Sequence, residues 1–270
     1  GKANGDYSTA IGNGVTASNE YDVAIGSSNS NKLTFNGSNI TATNGSTFNI
    51  GSTKISDGRL NVGDNTLNAG ASAAIGGRGN IASGDLSSTF GGLNNTADAA
   101  RSVAIGGFSN DANGEDSVIL GGTGSFTTGR GTVVVGGNSN DAKGVYSATF
   151  GGGANDADGF ASVAVGGALN NAVSQYATVV GGSANKAEGF CSTIAGGLYN
   201  IAGASHDSVF GGVYNIAGGS YSTALGGEGG TAGEDFSTAI GGGHANGEHS
   251  VAIGNGVSTS TASYEVAIGN

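Results

Sequence analysis

Three histidines, His206, His244 and His249, are the side chains of this 270-residue chain best suited to acid–base or metal chemistry. His244 and His249 flank Glu248, a grouping that would allow a metal ion, but glycines surround them and solvated turn residues are the better reading. His206-Asp207-Ser208 holds the residue types of a hydrolase triad. Consecutive strand residues point to opposite sides, so these three do not converge and catalysis is not expected. Gly227-Glu228-Gly229-Gly230-Thr231-Ala232-Gly233 brushes a phosphate-loop pattern, but lacks its lysine and following helix and reads as a turn. Asp141 and Asp156 are spaced like two rungs of a calcium-binding repeat, and the series then stops. Cys191, the single cysteine, cannot form an internal disulfide and is expected as a free, partly exposed thiol. It shares a column with Tyr176, His206 and Tyr221. No catalytic residue, metal or cofactor is expected.

The elements that carry these residues follow from the composition. Gly supplies 56 residues, Pro, Met and Trp are absent, and only 11% of residues are charged. Collagen would need glycine at every third place with abundant proline. A disordered chain would dilute its large apolar residues, which here recur at fixed places. A repeat fold remains. A net charge of −11 argues against nucleic acid as a partner and disfavours anionic lipid. No apolar run is long enough to cross a membrane, so no membrane insertion is expected. Beginning at Gly1 without a signal sequence, the chain is expected to be a fragment of a longer protein.

Gly-Gly pairs fall at 76, 91, 106, 121, 136, 151, 166, 181, 196, 211, 226 and 241, a period of 15 without a slip. Before each pair stands a large apolar residue, such as Ile75, Phe90, Ile105, Leu120, Phe150, Phe210 and Ile240, with Ala195 the one break. Four residues after the first glycine comes a column of asparagine: Asn80, Asn95, Asn110, Asn140, Asn155, Asn170, Asn185, Asn200 and Asn215. Two further on comes alanine in ten of twelve coils, and Ser opens the next apolar segment, as in Ser102, Ser117 and Ser147. Fifteen residues suit two short strands and two turns, one coil of a β-solenoid. Stacked at about 4.8 Å per coil, twelve coils rise on the order of 58 Å.

Alternation assigns the faces. In Ser-Val-Ala-Ile, Val and Ile share one side and Ser and Ala the other; in Asn-x-Ala, Asn and Ala share a side opposite a wet, variable column. The large apolar residues are expected to line the core, and the Ala- and Gly-rich second face to let other copies approach closely. Such a thin core predicts a marginal monomer, hence self-association. Stacked Asn amides are expected to bond along the axis or to cap turns.

Ser102-Val103-Ala104-Ile105-Gly106, Ser162-Val163-Ala164-Val165-Gly166, Ser250-Val251-Ala252-Ile253-Gly254 and Ser8-Thr9-Ala10-Ile11-Gly12 resemble the head repeats of trimeric autotransporter adhesins of the Yersinia-adhesin type. Gly151-Gly152-Gly153-Ala154-Asn155 looks like the longer variant of the Moraxella ubiquitous-surface-protein type. The match covers about 1–26 and 71–270. The resemblance implies an all-β, left-handed parallel β-roll, a homotrimer, and a place on the outer-membrane surface of a Gram-negative bacterium. It also implies adhesion to a host matrix or cell-surface protein. No heptad pattern for a stalk is visible, and the basic elements of a neck do not follow Tyr264-Glu265-Val266-Ala267-Ile268-Gly269.

The period divides the chain into terminal roll repeats at 1–27, an inserted β-rich connector at 28–70, and a main roll at 71–270. The connector reads as strands Asn31-Lys32-Leu33-Thr34-Phe35, Ser46-Thr47-Phe48-Asn49-Ile50 and Arg59-Leu60-Asn61-Val62, separated by Asn-Gly and Asp-Gly turns. Tyr199, Ile201, Tyr214 and Ile216 repeat across one coil in the wet columns and are the candidate partner-binding patch, with packing of this face between copies of the trimer as the equal alternative. A trimeric receptor-binding fibre of a phage or virion is the alternative function, and 28–70 leans that way.

Overall fold

The computed structural model describes residues 1–26, 32–36, 39–42, 60–68 and 72–269. Among them every regular element is a β-strand. The chain forms two compact units, Gly1–Lys54 and Ile55–Asn270.

The larger unit is a parallel β-solenoid. Each coil contributes one three-residue strand, such as Val103–Ile105, and one two-residue strand, such as Asp111–Ala112. Each pairs in parallel with its counterpart one coil later, Val103 with Val118 and Asp111 with Phe126. A third line of bridges runs from Arg78 through Leu93 and Phe108 to Glu228. The fifteen-residue period read from the glycine pairs is therefore the register of the sheet. It contracts to thirteen where Thr231 pairs with His244, and returns to fifteen where Val251 pairs with Val266.

The two glycines of a pair have different reasons. Gly151 has φ +63 and open space where a Cβ would stand. Gly152 has φ +77, and a Cβ there would lie 2.3 Å from the Gly167 carbonyl oxygen and 2.5 Å from the Asn155 amide nitrogen. The first needs only left-handed backbone; the second also needs the absence of a side chain.

That amide nitrogen is the link to the asparagine column. The Asn155 backbone N–H donates to Oδ1 of Asn140 at 3.0 Å. Its Nδ2 donates to the carbonyls of Gly151 at 3.2 Å and Gly167 at 3.3 Å. The same bonds recur at Asn110, Asn170, Asn185, Asn200 and Asn215. Each fully buried amide thus satisfies the backbone of its own coil and of the coil that follows, so the column both stacks and caps. Ser125 interrupts it, and the Asn140 N–H must reach 3.4 Å to the serine hydroxyl.

The alternation read from the sequence holds, but the choice of inside was reversed for the longer strand. Ser102 and Ala104 are buried, while Val103 is half-buried and Ile105 exposed. Phe90, Ile105, Leu120, Phe150, Val180 and Phe210 are 38–47% exposed. The interior is instead built of serine, asparagine, alanine and one variable column holding Ala104, Ile119, Val134, Thr149, Ala164, Val179, Ile194 and Val209. The reason is width. A coil closed by strands of three and two residues has no room between them for phenylalanine, so the small side carries the core and the large side faces out. The Ala-rich face is consequently not available for other copies.

The smaller unit repeats this design at a fourteen-residue step, Thr9 pairing with Val23 and Lys2 with Thr16. Val15, Ala17 and Ala24 form its core. Strand Asp22–Gly26 then pairs antiparallel with Lys32–Asn36, which pairs antiparallel with Asn39–Ala42. Strand Leu60–Leu67 pairs in parallel with Ala73–Ala82, so the solenoid sheet begins before residue 71. The expected strand at 46–50 and the turns around it lie outside the described residues.

Candidate binding surface

Two turns close each coil, and both hold a residue in left-handed backbone. At the turn opposite the Gly-Gly corner this residue is Arg101, Asp116, Gly131, Tyr146, Ala161, Tyr176, Cys191, His206, Tyr221, Phe236, His249 and Tyr264 in successive coils, with φ between 51° and 66°. Left-handed backbone here turns the side chain outward, and stacking in register sets it above its predecessor. Rings follow as a continuous ladder: Tyr146, Phe160, Tyr176, Phe190 and His206 meet at 5.5–5.8 Å with planes crossed at 71–87°. From His206 through Tyr221, Phe236 and His249 to Tyr264 they lie parallel within 5° at 4.6–5.1 Å. Tyr146, Phe160, Tyr176, Phe190, Tyr221 and Phe236 remain 40–54% exposed.

The patch expected from the sequence is assembled at the other turn. Tyr199 and Tyr214 stack at 5.1 Å with planes 3° apart, and Ile201 and Ile216 are paired in the sheet. Tyr199, Tyr214 and Ile216 are exposed, Ile201 half-buried. Leu198 and Val213, also half-buried, bridge between the same coils.

Toward the N-terminal end the ladder's corner is ionic. Arg101 donates to Asp116 at 2.5 Å and to Glu115, and Arg130 approaches Asp116 at 3.3 Å. Hydrogen bonding from Arg101 holds the Asp116 carboxyl below the usual range. On the flat between the two turns, Lys143 lies 3.3 Å from Asp141, 3.3 Å from Asp156 and 3.4 Å from Asp158. Burial pulls the Lys143 ammonium down, and those three carboxylates outweigh it and raise it. Burial pushes the Asp156 carboxyl up despite Lys143. Asp141 and Asp156 are therefore brought together, as neighbours in the sheet, around a lysine.

His206-Asp207-Ser208 does not converge: the imidazole stands in the ring ladder while Asp207 is fully buried. Asp207 takes the inward place that serine holds in Ser192 and Ser222. It accepts from the Ala204 N–H at 2.6 Å, and from the N–H and hydroxyl of Ser222 at 3.0 and 3.2 Å. Burial pushes its carboxyl up against those bonds. His249 lies 3.6 Å from Glu248 and stacks between Phe236 and Tyr264. Among the described residues no group of three or more His, Cys, Asp or Glu is placed to hold a metal ion.

The ladder is what sequence reasoning missed. The shared column of Tyr176, Cys191, His206 and Tyr221 was visible, but Phe160 and Phe190 sit one position earlier and hid the continuity. Scoring each turn for a ring at either of two adjacent positions would have found it. No protein-family model matches this chain, and no curated protein matches it in sequence.

Proposed function

We propose that this chain is the head of a homotrimeric adhesin on the surface of a Gram-negative bacterium, a left-handed β-roll that attaches to a host matrix or cell-surface protein. One observation carries the reading: a stripe of half-exposed phenylalanine, isoleucine, leucine and valine, broken only at Ala195, runs up one face from Ile75 to Ile253. An apolar stripe this long on a soluble solenoid marks a contact surface. Identical stripes on identical copies close most simply by rotational symmetry. The interior, mostly alanine, serine and asparagine, supplies little hydrophobic stabilisation of its own, which favours association. Three copies of each exposed surface then convert modest contacts into avidity.

A receptor-binding fibre of a phage or virion is the second reading, favoured by the antiparallel hairpin that departs from the roll at Lys32–Asn36 and Asn39–Ala42.

Molar mass by light scattering tests the assembly. The expected value is three times the 25.7 kDa chain, and Ile105→Asp with Phe150→Asp should dissociate it. A stable monomer would overturn the reading. Attachment of cells displaying the chain to immobilised matrix proteins, compared with cells lacking it, tests the adhesin role itself. Tyr199→Ala with Tyr214→Ala should weaken attachment and leave the molar mass unchanged if that patch carries the contact.

A further inference from the structure

The ring ladder is maintained beyond what the fold requires. Nine successive coils each supply one ring, and where the left-handed position holds the small Ala161 or Cys191, the residue before it is Phe160 or Phe190. Gly131 fills the same position with φ +66, so the corner closes without a side chain. Left-handed backbone strains a residue bearing a Cβ, a strain that glycine avoids. Ring-on-ring contacts offset that strain, yet the rings still stand in solvent.

Charge shifts over the same coils. From Tyr146 to the C-terminus the sequence carries nine Asp and Glu and one basic residue, Lys186, which is paired with Glu188, while Lys143 just before them pairs with Asp156 and Asp158. These coils therefore hold −8 of the chain's −11. Glu234, Asp235 and Glu248 are exposed at the ladder's own turn.

Ring orientation adds the chemistry. Between His206 and Tyr264 the planes are parallel, so each ring covers its neighbours' faces. Between Tyr146 and His206 they cross, so every second ring turns a face away from the ladder axis. An uncovered ring face attracts a cation, and a guanidinium suits it best because its plane can lie flat on the ring.

We infer that this ridge binds an arginine-bearing, extended stretch of a protein partner. Guanidinium groups lie on the uncovered faces between Tyr146 and His206, and further basic groups pair with Glu234, Asp235 and Glu248. The inference rests on reading the chain as a binding head, and names the corner and the chemistry of its partner.

The test is fluorescence anisotropy of a labelled nona-arginine peptide with the intact chain, beside nona-lysine and the neutral glycan chitohexaose. Nona-arginine should bind tighter than nona-lysine, and Phe160→Leu with Phe190→Leu should weaken it roughly tenfold while every acid remains. Glu234→Gln with Glu248→Gln should weaken it further and flatten its salt dependence. Phe160→Ala with Phe190→Ala serves if the leucine pair melts early. No binding of nona-arginine, equal binding of nona-lysine, or affinity untouched by loss of the two rings would overturn the inference. So would chitohexaose competing from the same ridge. Cell attachment is scored separately: its absence while peptide binding persists counts against the adhesin reading alone.

Discussion

Along one corner of the solenoid, Arg101 and Asp116 occupy the left-handed position that Tyr146, Tyr176, Tyr221 and Tyr264 occupy further on. The backbone is the same in both stretches, and so is the register. The N-terminal stretch ties its coils together with exposed ion pairs, the C-terminal stretch with touching rings. The contrast separates what the fold demands from what it leaves free. It demands an outward side chain or none at that corner; it does not demand a particular chemistry. The inner columns have a narrower choice, small apolar or hydrogen-bonding side chains with Ser125 and Asp207 as exceptions, because there the neighbouring coil lies within bonding distance.

The largest expected effect concerns the glycines both stretches share. Gly152→Ala should cost about 3 kcal/mol or more in urea denaturation, since its Cβ would meet both a carbonyl and the Asn155 amide. Gly122→Ala should cost less, because in the ionic stretch Ser125 replaces that asparagine and the nearest carbonyl is 2.8 Å away. Equal losses would break the link between the glycine and asparagine columns.

The asparagine column itself ranks next. Asn155→Ala strands the Asn170 N–H and should cost about 2 kcal/mol. In the ionic stretch Ser125→Asn should close the gap in the column and add about 1 kcal/mol, read as a higher denaturation midpoint.

A third prediction tests the one carboxylate buried within the aromatic stretch. Burial raises the folded-state pKa of Asp207 above its unfolded value, so its contribution is most favourable below the unfolded pKa. That contribution is lost as pH rises through the folded value. Asp207→Ser should therefore raise stability at neutral pH by about 1 kcal/mol and shrink that gain toward acid. A gain independent of pH would exclude the carboxylate as its cause.

Corner substitutions should have the smallest effects on stability. Tyr176→Gly relieves left-handed strain and loses two ring contacts, leaving the midpoint within about 1 kcal/mol of the parent. Arg101→Gly relieves the same strain and loses exposed ion pairs, so any destabilisation should fade in high salt. A large loss at Tyr176 alone would make the ladder a structural spine instead of a surface.

Much of this was legible in the chain. Twelve glycine pairs at one spacing state the register, and the alternation in Ser102-Val103-Ala104-Ile105 states which residues share a side. The Tyr199–Tyr214 pair was legible too, because identical residues one period apart must stack. Which side of the longer strand is inside was not legible. Hydrophobicity argues for Phe90 and Ile105, whereas the width of a closed five-strand-residue coil admits only Ala104 and Ser102. The ring ladder was hidden for a related reason: Phe160 and Tyr176 are 16 residues apart, off the period, and only the bend of the turn brings their rings to 5.7 Å.

The repeat, the parallel stacking and the glycine–asparagine columns are written in the order of the residues, because a strict period forces like residues to meet across a fixed hydrogen-bond spacing. Tertiary structure alone decided the inside and the outside. That choice depends on how much volume two short strands enclose once both turns have closed, and no single coil carries that quantity in its letters.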